Sequence, residues 1–213
     1  ILDSSVDPTF IDTKNRPALA QTFQQNLNDE KFTAVVNHLK SKGSDCNDLG
    51  DPDMGDQQGN CNITRTSATT ALVNWLATDP TGSGAPDFLI LGDLNAYDME
   101  DPIAAIETAG YTNLIKMLLE SQYFDMAILD IMGVDGYGLL EIANKKKVTS
   151  VMLTAHALSS GNIVKSHKKG AAFFVPKLKM SDIVCYLNDI LEAKEQGKST
   201  WWRWYDRLGS FCD

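Results

Sequence analysis

Short apolar runs separated by polar turns are the main pattern of this chain. Five such runs predict strands, at residues 32–37, 87–91, 124–130, 148–153 and 171–175. Helical spacing of apolar residues predicts helices at residues 64–77, 101–108, 115–121, 139–145, 162–167 and 180–194. Residues 111–114 are a further candidate for a short strand. Strands that alternate with helices in this way predict an α/β protein with a largely parallel sheet.

Composition and charge narrow the class of protein. The chain has 213 residues, of which 43% are hydrophobic, which is ordinary for a globular protein. No apolar run approaches the roughly 18 residues that a membrane-spanning helix needs, so we expect no membrane partner. Residues 1–114 contain 6 Lys or Arg and 17 Asp or Glu, whereas residues 115–213 contain 13 and 11. Because the acidic half repels polyanions, nuclease chemistry there would need bound metal and local basic residues.

Polar side chains follow several of the predicted strands. His38, Asp93, Asp130, Thr154 and Lys177 each lie at or just past a strand end. Ligands of open parallel sheets bind beyond the carboxyl ends of the strands. These five residues are therefore candidate site residues.

The first half carries residues that suit phosphodiester hydrolysis. The run Asn-His-Leu-Lys-Ser occupies positions 37–41, and Gly-Asp-Leu-Asn-Ala occupies positions 92–96. Asp93 and Asn95 can point into one site from a turn, and His38 can exchange a proton with a phosphate oxygen or a water. Hydrolysis of this kind commonly also needs metal ligands.

These motifs resemble the endonuclease/exonuclease/phosphatase superfamily, the DNase I-like fold, and its extracellular bacterial nucleases in particular. The similarity covers residues 6–114. It implies that His38 is the catalytic histidine, Asp93 the catalytic aspartate, Asn95 a substrate contact and Arg16 a phosphate contact, with DNA as the partner. The chain departs from the family pattern because no match is found for the metal-binding glutamate or for the closing Asp-His pair. We therefore expect this segment to be largely inactive as a nuclease.

Cys46 and Cys61 bracket a polar stretch without apolar periodicity, which predicts a long surface loop. A disulfide between them would order the loop and would imply an oxidising compartment. Two free thiols are the alternative. The chain has no C-x-x-C spacing, which argues against a structural zinc site.

The second half carries residues that suit phosphoryl transfer to an aspartate. Asp130 ends one predicted strand, Thr154 the next, and Lys177 follows Pro176 at the end of the third. Together with Asp135-Gly136, this ordered set resembles the receiver domain of two-component response regulators over residues 115–193. The resemblance implies a flavodoxin-like sheet and Asp130 as the phosphoacceptor. It further implies Thr154 as the switch hydroxyl and Lys177 as the lysine that neutralises the phosphoryl oxygens. It also implies Mg²⁺ as cofactor and a histidine kinase or phosphotransfer protein as partner.

The receiver pattern lacks its first strand, which normally ends in acidic residues that bind magnesium. The predicted strand before Asp93 is a candidate replacement, so that residues 87–114 would complete the receiver sheet. Asp93 would then join Asp130 as a ligand of Mg²⁺ or another divalent cation. A disused nuclease residue is the alternative for Asp93.

Other features suit several roles. The lysines at 145–147 and 168–169 are more typical of a solvated surface than of nucleic-acid contacts, and no interleaved aromatic residues support base stacking. His156 and His167 are typical of structural or solvent-facing residues. The aromatic segment from Trp201 to Tyr205 predicts either a helix docked on the core or an exposed partner-binding patch.

We interpret the chain as two partial domains, residues 1–114 and 115–193, followed by an aromatic extension at 194–213. Phosphoryl acceptance on Asp130 is the leading expected function. Metal-dependent DNA hydrolysis is the second, and a chimera without catalytic function is the third. The receiver-like part implies the cytoplasm and the nuclease-like part implies secretion. A natural fusion, an assembly error and an engineered chimera are all open as its origin.

Overall fold

The protein is described here by a computed structural model, which covers residues 1–131, 135–154 and 160–208. The chain divides into two compact units, Ile1–Tyr111 and Thr112–Asp213, so the division lies close to the predicted junction at 114–115. The described residues form a mixed α/β protein with seven α-helices and two three-stranded sheets. Only the second of these sheets is wholly parallel.

The N-terminal unit is built on a mixed sheet. Its elements are β1 (Arg16–Gln24), β2 (Lys31–His38), α1 (Asn62–Leu76), β3 (Phe88–Asp93) and α2 (Asp101–Thr108). The central strand β2 pairs with β1 in antiparallel and with β3 in parallel orientation.

The core of the N-terminal unit follows from two periodicities. Along β2, the buried residues Thr33, Val35 and Asn37 alternate with more exposed ones, as expected for a strand that buries one face. In α1, Ala68, Leu72 and neighbouring residues recur at helical spacing and are buried. Both faces contribute to one hydrophobic core.

The C-terminal unit alternates strands and helices. Its elements are α3 (Leu114–Ser121), β4 (Met126–Asp130), α4 (Gly136–Lys145), β5 (Thr149–Thr154), α5 (Ser160–Lys168), β6 (Phe173–Pro176), α6 (Ile183–Glu195) and α7 (Thr200–Leu208). The strand order is β4-β5-β6, and both pairs are parallel. The central strand β5 is buried along its whole length, and its middle residues Val151, Met152 and Leu153 are apolar, as expected for a strand covered on both faces.

The structure differs from the sequence predictions in several elements. The predicted strand at 111–114 is wrong, because Leu114 begins α3 and Asn113 caps it by accepting hydrogen bonds from the backbone of Ile115 and Lys116. Strand β1 has no counterpart among the sequence predictions, whereas helix α7 contains the aromatic segment for which a docked helix is one of the two predicted alternatives. The expected largely parallel sheet is divided into two three-stranded sheets, in which three of the four strand pairs are parallel.

The expectation that residues 87–114 complete the receiver-like sheet also needs correction. Strand β3 pairs with β2 inside the N-terminal unit. In the described part of the chain, the second sheet consists of β4, β5 and β6 alone. The backbone pairing that would have brought Asp93 beside Asp130 is therefore not the one observed.

Some sequence predictions concern residues that the structure does not describe. The predicted residues that lie outside the described ranges are Met132, Ala155, His156, Ala157 and Cys212. Within the described ranges, no helix is both long enough and apolar enough to cross a membrane.

Candidate functional site

Strand register places three of the predicted residues of the N-terminal unit side by side. Arg16 of β1 is the pairing partner of His38 of β2, and His38 is the pairing partner of Asp93 of β3. Residues paired across a sheet present their side chains on the same face. All three are exposed, so an imidazole, a guanidinium and a carboxylate share one open end of the sheet.

The fourth predicted residue, Asn95, is fixed beside this row. Its backbone takes a left-handed conformation with φ of 46°. The Asn95 backbone N–H donates to Asp93 Oδ1 over 2.9 Å, and its side-chain amide donates to the Leu39 carbonyl over 2.9 Å. The turn after β3 is thereby tied to the residue that follows His38. The four residues predicted from the nuclease motifs therefore lie at one end of one sheet.

Gly92 explains how β2 and β3 come so close at this point. It is the pairing partner of Asn37, and its φ is +115°. A Cβ at position 92 would lie 2.0 Å from the Asn37 carbonyl oxygen. The glycine before Asp93 thus permits the approach that sets the register of His38 and Asp93.

Two buried polar residues hold the segment that follows His38. Asn15 Oδ1 accepts a hydrogen bond from the Lys40 backbone over 3.0 Å. Arg65 is fully buried, and its guanidinium donates to the carbonyls of Asn60 (2.5 Å), Gln58 (2.8 Å) and Lys40 (3.4 Å). Sequence reasoning missed both residues, because neither forms part of a pattern that distinguishes a buried polar side chain from an exposed one.

The environment of Arg65 affects its ionisation. Burial lowers the pKa of the Arg65 guanidinium, and the nearby carboxylates of Glu100 and Asp51 partly oppose that shift. Since arginine still retains its proton at neutral pH, the buried cation keeps its role as a donor.

The loop that Arg65 holds is also closed covalently. Cys46 and Cys61 form a disulfide, with their Cα atoms 5.3 Å apart and α1 beginning directly after Cys61. Lys42, between His38 and this loop, forms an ion pair with the buried Glu100, and its ammonium lies 3.6 Å from the centre of the Tyr97 ring. Residues 38–61 are thus anchored at several points.

The C-terminal unit brings together its own three predicted residues. Asp130, Thr154 and Lys177 lie at the carboxyl ends of β4, β5 and β6, which are adjacent in the sheet. Lys177 Nζ lies 2.5 Å from Asp130 Oδ2. The Thr154 side chain lies at the end of the central strand and is almost fully buried.

The ion pair between Lys177 and Asp130 is accessible to solvent. The two side chains keep 44% and 27% of their exposure. Partly exposed ion pairs contribute only about 0–1 kcal/mol to folding stability. The pair therefore places a solvent-accessible carboxylate beside a cation. Its small contribution to folding stability does not explain why the two residues lie together.

Asp135, which belongs to the receiver-like pattern, has a structural role. It lies at the N-terminus of α4, and its Oδ1 accepts a hydrogen bond from the Gly138 backbone over 3.1 Å. This is the behaviour of a helix N-cap.

The Mg²⁺ expected beside Asp130 stays a prediction, because this ion usually keeps several waters and binds through one or two carboxylates. In the three described ranges, no group of three or more His, Cys, Asp or Glu residues could hold a metal ion.

Comparison with known proteins adds no relative. No protein-family model, curated protein or solved structure matches the chain.

Proposed function

We propose that the C-terminal unit accepts a phosphoryl group on Asp130. The contact between Lys177 Nζ and Asp130 Oδ2 carries this proposal. It is supported by the order Asp, Thr, Lys at the ends of three adjacent parallel strands, which is the order that the receiver resemblance implies.

Each residue has a defined task in this reaction. A carboxylate oxygen of Asp130 attacks the phosphorus of a phosphoryl donor, and an acyl phosphate forms on Asp130. The bond that breaks joins the phosphorus to the donor's leaving atom, which is an acetate oxygen of acetyl phosphate or an imidazole nitrogen of a phosphohistidine. The ammonium of Lys177 neutralises charge on the phosphoryl oxygens. The Thr154 hydroxyl, at the end of the neighbouring strand, is the group that can donate a hydrogen bond to the product.

Acetyl phosphate tests this proposal directly. We expect the full chain, incubated with acetyl phosphate and Mg²⁺, to gain the mass of one phosphoryl group. Hydroxylamine should remove the group, because it cleaves acyl phosphates and spares phosphate esters of serine and threonine. Asp130→Asn should abolish the gain and Lys177→Gln should reduce it, whereas Asp135→Asn should leave most of it. A modification that persists in Asp130→Asn contradicts the proposal.

Phosphodiester hydrolysis by the N-terminal unit is a second candidate. The lateral row of Arg16, His38 and Asp93 favours it, because these side chains supply an anion-binding group, a proton carrier and a carboxylate on one exposed face. His38 can take a proton from the attacking water or give one to the leaving oxygen, and Arg16 can pair with the non-bridging oxygens.

Plasmid nicking in the presence of divalent metal tests the second candidate. We expect any nicking to be lost in His38→Ala and to persist in His167→Ala, whose ring packs against Trp201 in the other unit. Nicking that survives in His38→Ala points to a contaminating nuclease and removes the candidate. A chain that is silent in both assays has neither activity.

A further inference from the structure

The two lysine runs of the C-terminal unit come together in the fold. Between residues 141 and 169 the chain has six lysines and one acidic residue, Glu141, although its net charge is -9. The lysines lie at the C-terminal ends of α4 and α5 and in the connections to β5 and β6. Because these strands are parallel and adjacent, both connections lie at the edge of the sheet where the strands begin.

Specific contacts hold the two runs beside each other. The side-chain amide of Asn144 donates to the Lys169 carbonyl over 2.6 Å, which ties the end of α4 to the end of α5. Lys169 also forms an ion pair with Glu141. We name the group formed by Lys145, Lys146, Lys147, Lys165, Lys168 and Lys169 the lysine surface. All of its members except Lys169 are exposed.

Tyr137, an aromatic residue next to the lysine surface, is already occupied by contacts within the protein. The ammonium of Lys165 lies 4.2 Å and that of Lys169 5.8 Å from the centre of the Tyr137 ring. The Tyr137 hydroxyl shares a hydrogen bond of 3.2 Å with the buried Ser166. The surface therefore presents charge, and this tyrosine is poorly placed to stack on a base.

We propose that the lysine surface binds the phosphate backbone of duplex nucleic acid without sequence preference. Lysine ammonium groups are point charges suited to phosphate oxygens, and several of them release counterions together when they neutralise a polyanion. Positive charge is concentrated on this surface although the whole chain has an isoelectric point near 4.8, and a local charge cluster can attract a polyanion to an acidic protein. Lys165 and Lys169 extend the surface along α4 towards Tyr137.

This inference extends beyond both proposed activities, since neither Asp130 nor His38 belongs to the lysine surface. Binding can be measured in EDTA, where metal-dependent cleavage does not occur. A failure of binding is thus distinguishable from a failure of phosphorylation or of hydrolysis.

Fluorescence anisotropy with a short labelled DNA duplex tests the proposal on the full chain. We expect the logarithm of the association constant to fall linearly with the logarithm of the NaCl concentration between about 50 and 200 mM. Replacing the three lysines at 145–147 by glutamine should weaken binding at least about tenfold and flatten the salt slope by about 2.7, or about 0.9 for each lost phosphate contact. The double variant Lys165→Gln/Lys168→Gln should also weaken binding and flatten the salt slope. Because these two lysines lie on α5, this result would exclude a local disturbance at the end of α4 as the cause.

A matched control removes the same charge elsewhere. The triple variant Lys14→Gln/Lys31→Gln/Lys116→Gln also removes three lysines, and it should keep most of the affinity and the salt slope. Equal losses in this control and in the 145–147 variant would overturn the proposal, because net charge alone would then explain binding.

Two other partners would also overturn it. Vesicles containing phosphatidylserine that bind wild type and not the 145–147 variant, with no DNA binding, would assign the surface to a membrane. Salt-sensitive self-association lost in the same variant, again with no DNA binding, would assign it to the acidic N-terminal unit of a second copy.

Discussion

At the residue scale, Gly92 controls the distance between β2 and β3 next to His38 and Asp93. We expect Gly92→Ala to destabilise the N-terminal unit by about 3 kcal/mol or more, because the new Cβ would lie 2.0 Å from the Asn37 carbonyl oxygen, and relief requires the two strands to separate. Urea denaturation measures the change in the free energy of unfolding.

The control Gly82→Ala also places alanine at positive φ, but its Cβ meets no atom within 4 Å. It should therefore lower the free energy of unfolding by only about 1–2 kcal/mol. Equal costs in the two variants would show that the close approach to Asn37 is unimportant.

A second residue, Asp79, orders the loop that leads to β3. Its carboxylate accepts hydrogen bonds from the backbone of Gly84 (2.7 Å) and Ser83 (3.2 Å). The hydrogen bond from Gly84 has the largest effect, and together with that from Ser83 it lowers the pKa of Asp79 below its ordinary value of 3.8. A carboxyl group whose pKa is lower in the folded than in the unfolded state stabilises the fold above its unfolded pKa, and this contribution is lost as pH falls through the folded pKa.

Asp79→Asn should therefore lower the melting temperature at neutral pH, and the difference from wild type should shrink below about pH 4. Thermal unfolding followed by circular dichroism across this pH range provides the measurement. Glu107→Gln removes an exposed carboxylate from α2 and should change stability by less than about 0.5 kcal/mol. A difference for Asp79→Asn that stays constant into acid would mean that the ionised carboxylate is not the source of the stabilisation.

At the scale of elements, α7 is docked by one aromatic face and exposes the other. Trp204 is buried in the core, and its indole N–H donates to the Phe174 carbonyl over 2.6 Å. Trp201 donates in the same way to Ala171, whereas Trp202 is 57% exposed. Docking on the core therefore applies to Trp201 and Trp204, whereas Trp202 is exposed and partner binding there stays a prediction.

The docking of α7 can be tested by truncating each face. Trp204→Ala should lower the free energy of unfolding of the C-terminal unit by about 3–5 kcal/mol, because it leaves a cavity and an unpaired carbonyl. Trp202→Ala should change it by less than about 0.5 kcal/mol. Urea titrations of both variants compare these values, and a similar loss in both would contradict the assignment of faces.

Elements with strong periodicity could be predicted from the sequence, and elements that depend on distant partners could not. The helix at 101–108 has the predicted bounds because a proline marks its first turn and Gly110 follows its end. Strand β1 contains proline and glutamines without clear alternation, and only its pairing with β2 makes it a strand.

The candidate sites were likewise predictable only in part. His38, Asp93 and Asn95 follow from motifs, but their alignment with Arg16 depends on a strand register that the sequence does not specify. The sequence also does not indicate that β3 pairs with β2.

At the scale of the whole molecule, the two units have separate cores, and the disulfide found among the described residues closes a loop of the N-terminal unit. Cys46 and Cys61 are 15 residues apart. A disulfide that closes a loop of this length stabilises the folded state by about 3 kcal/mol, because it restricts the unfolded chain.

We expect calorimetry to resolve two unfolding transitions. Replacing both cysteines by serine should lower the transition of the N-terminal unit by on the order of 10 °C and leave the other in place. Cys185→Ser, at an exposed free thiol on α6, should shift neither. If the double serine variant instead moved both transitions together, the units would be coupled in unfolding, and the separate cores would not act as independent folding units.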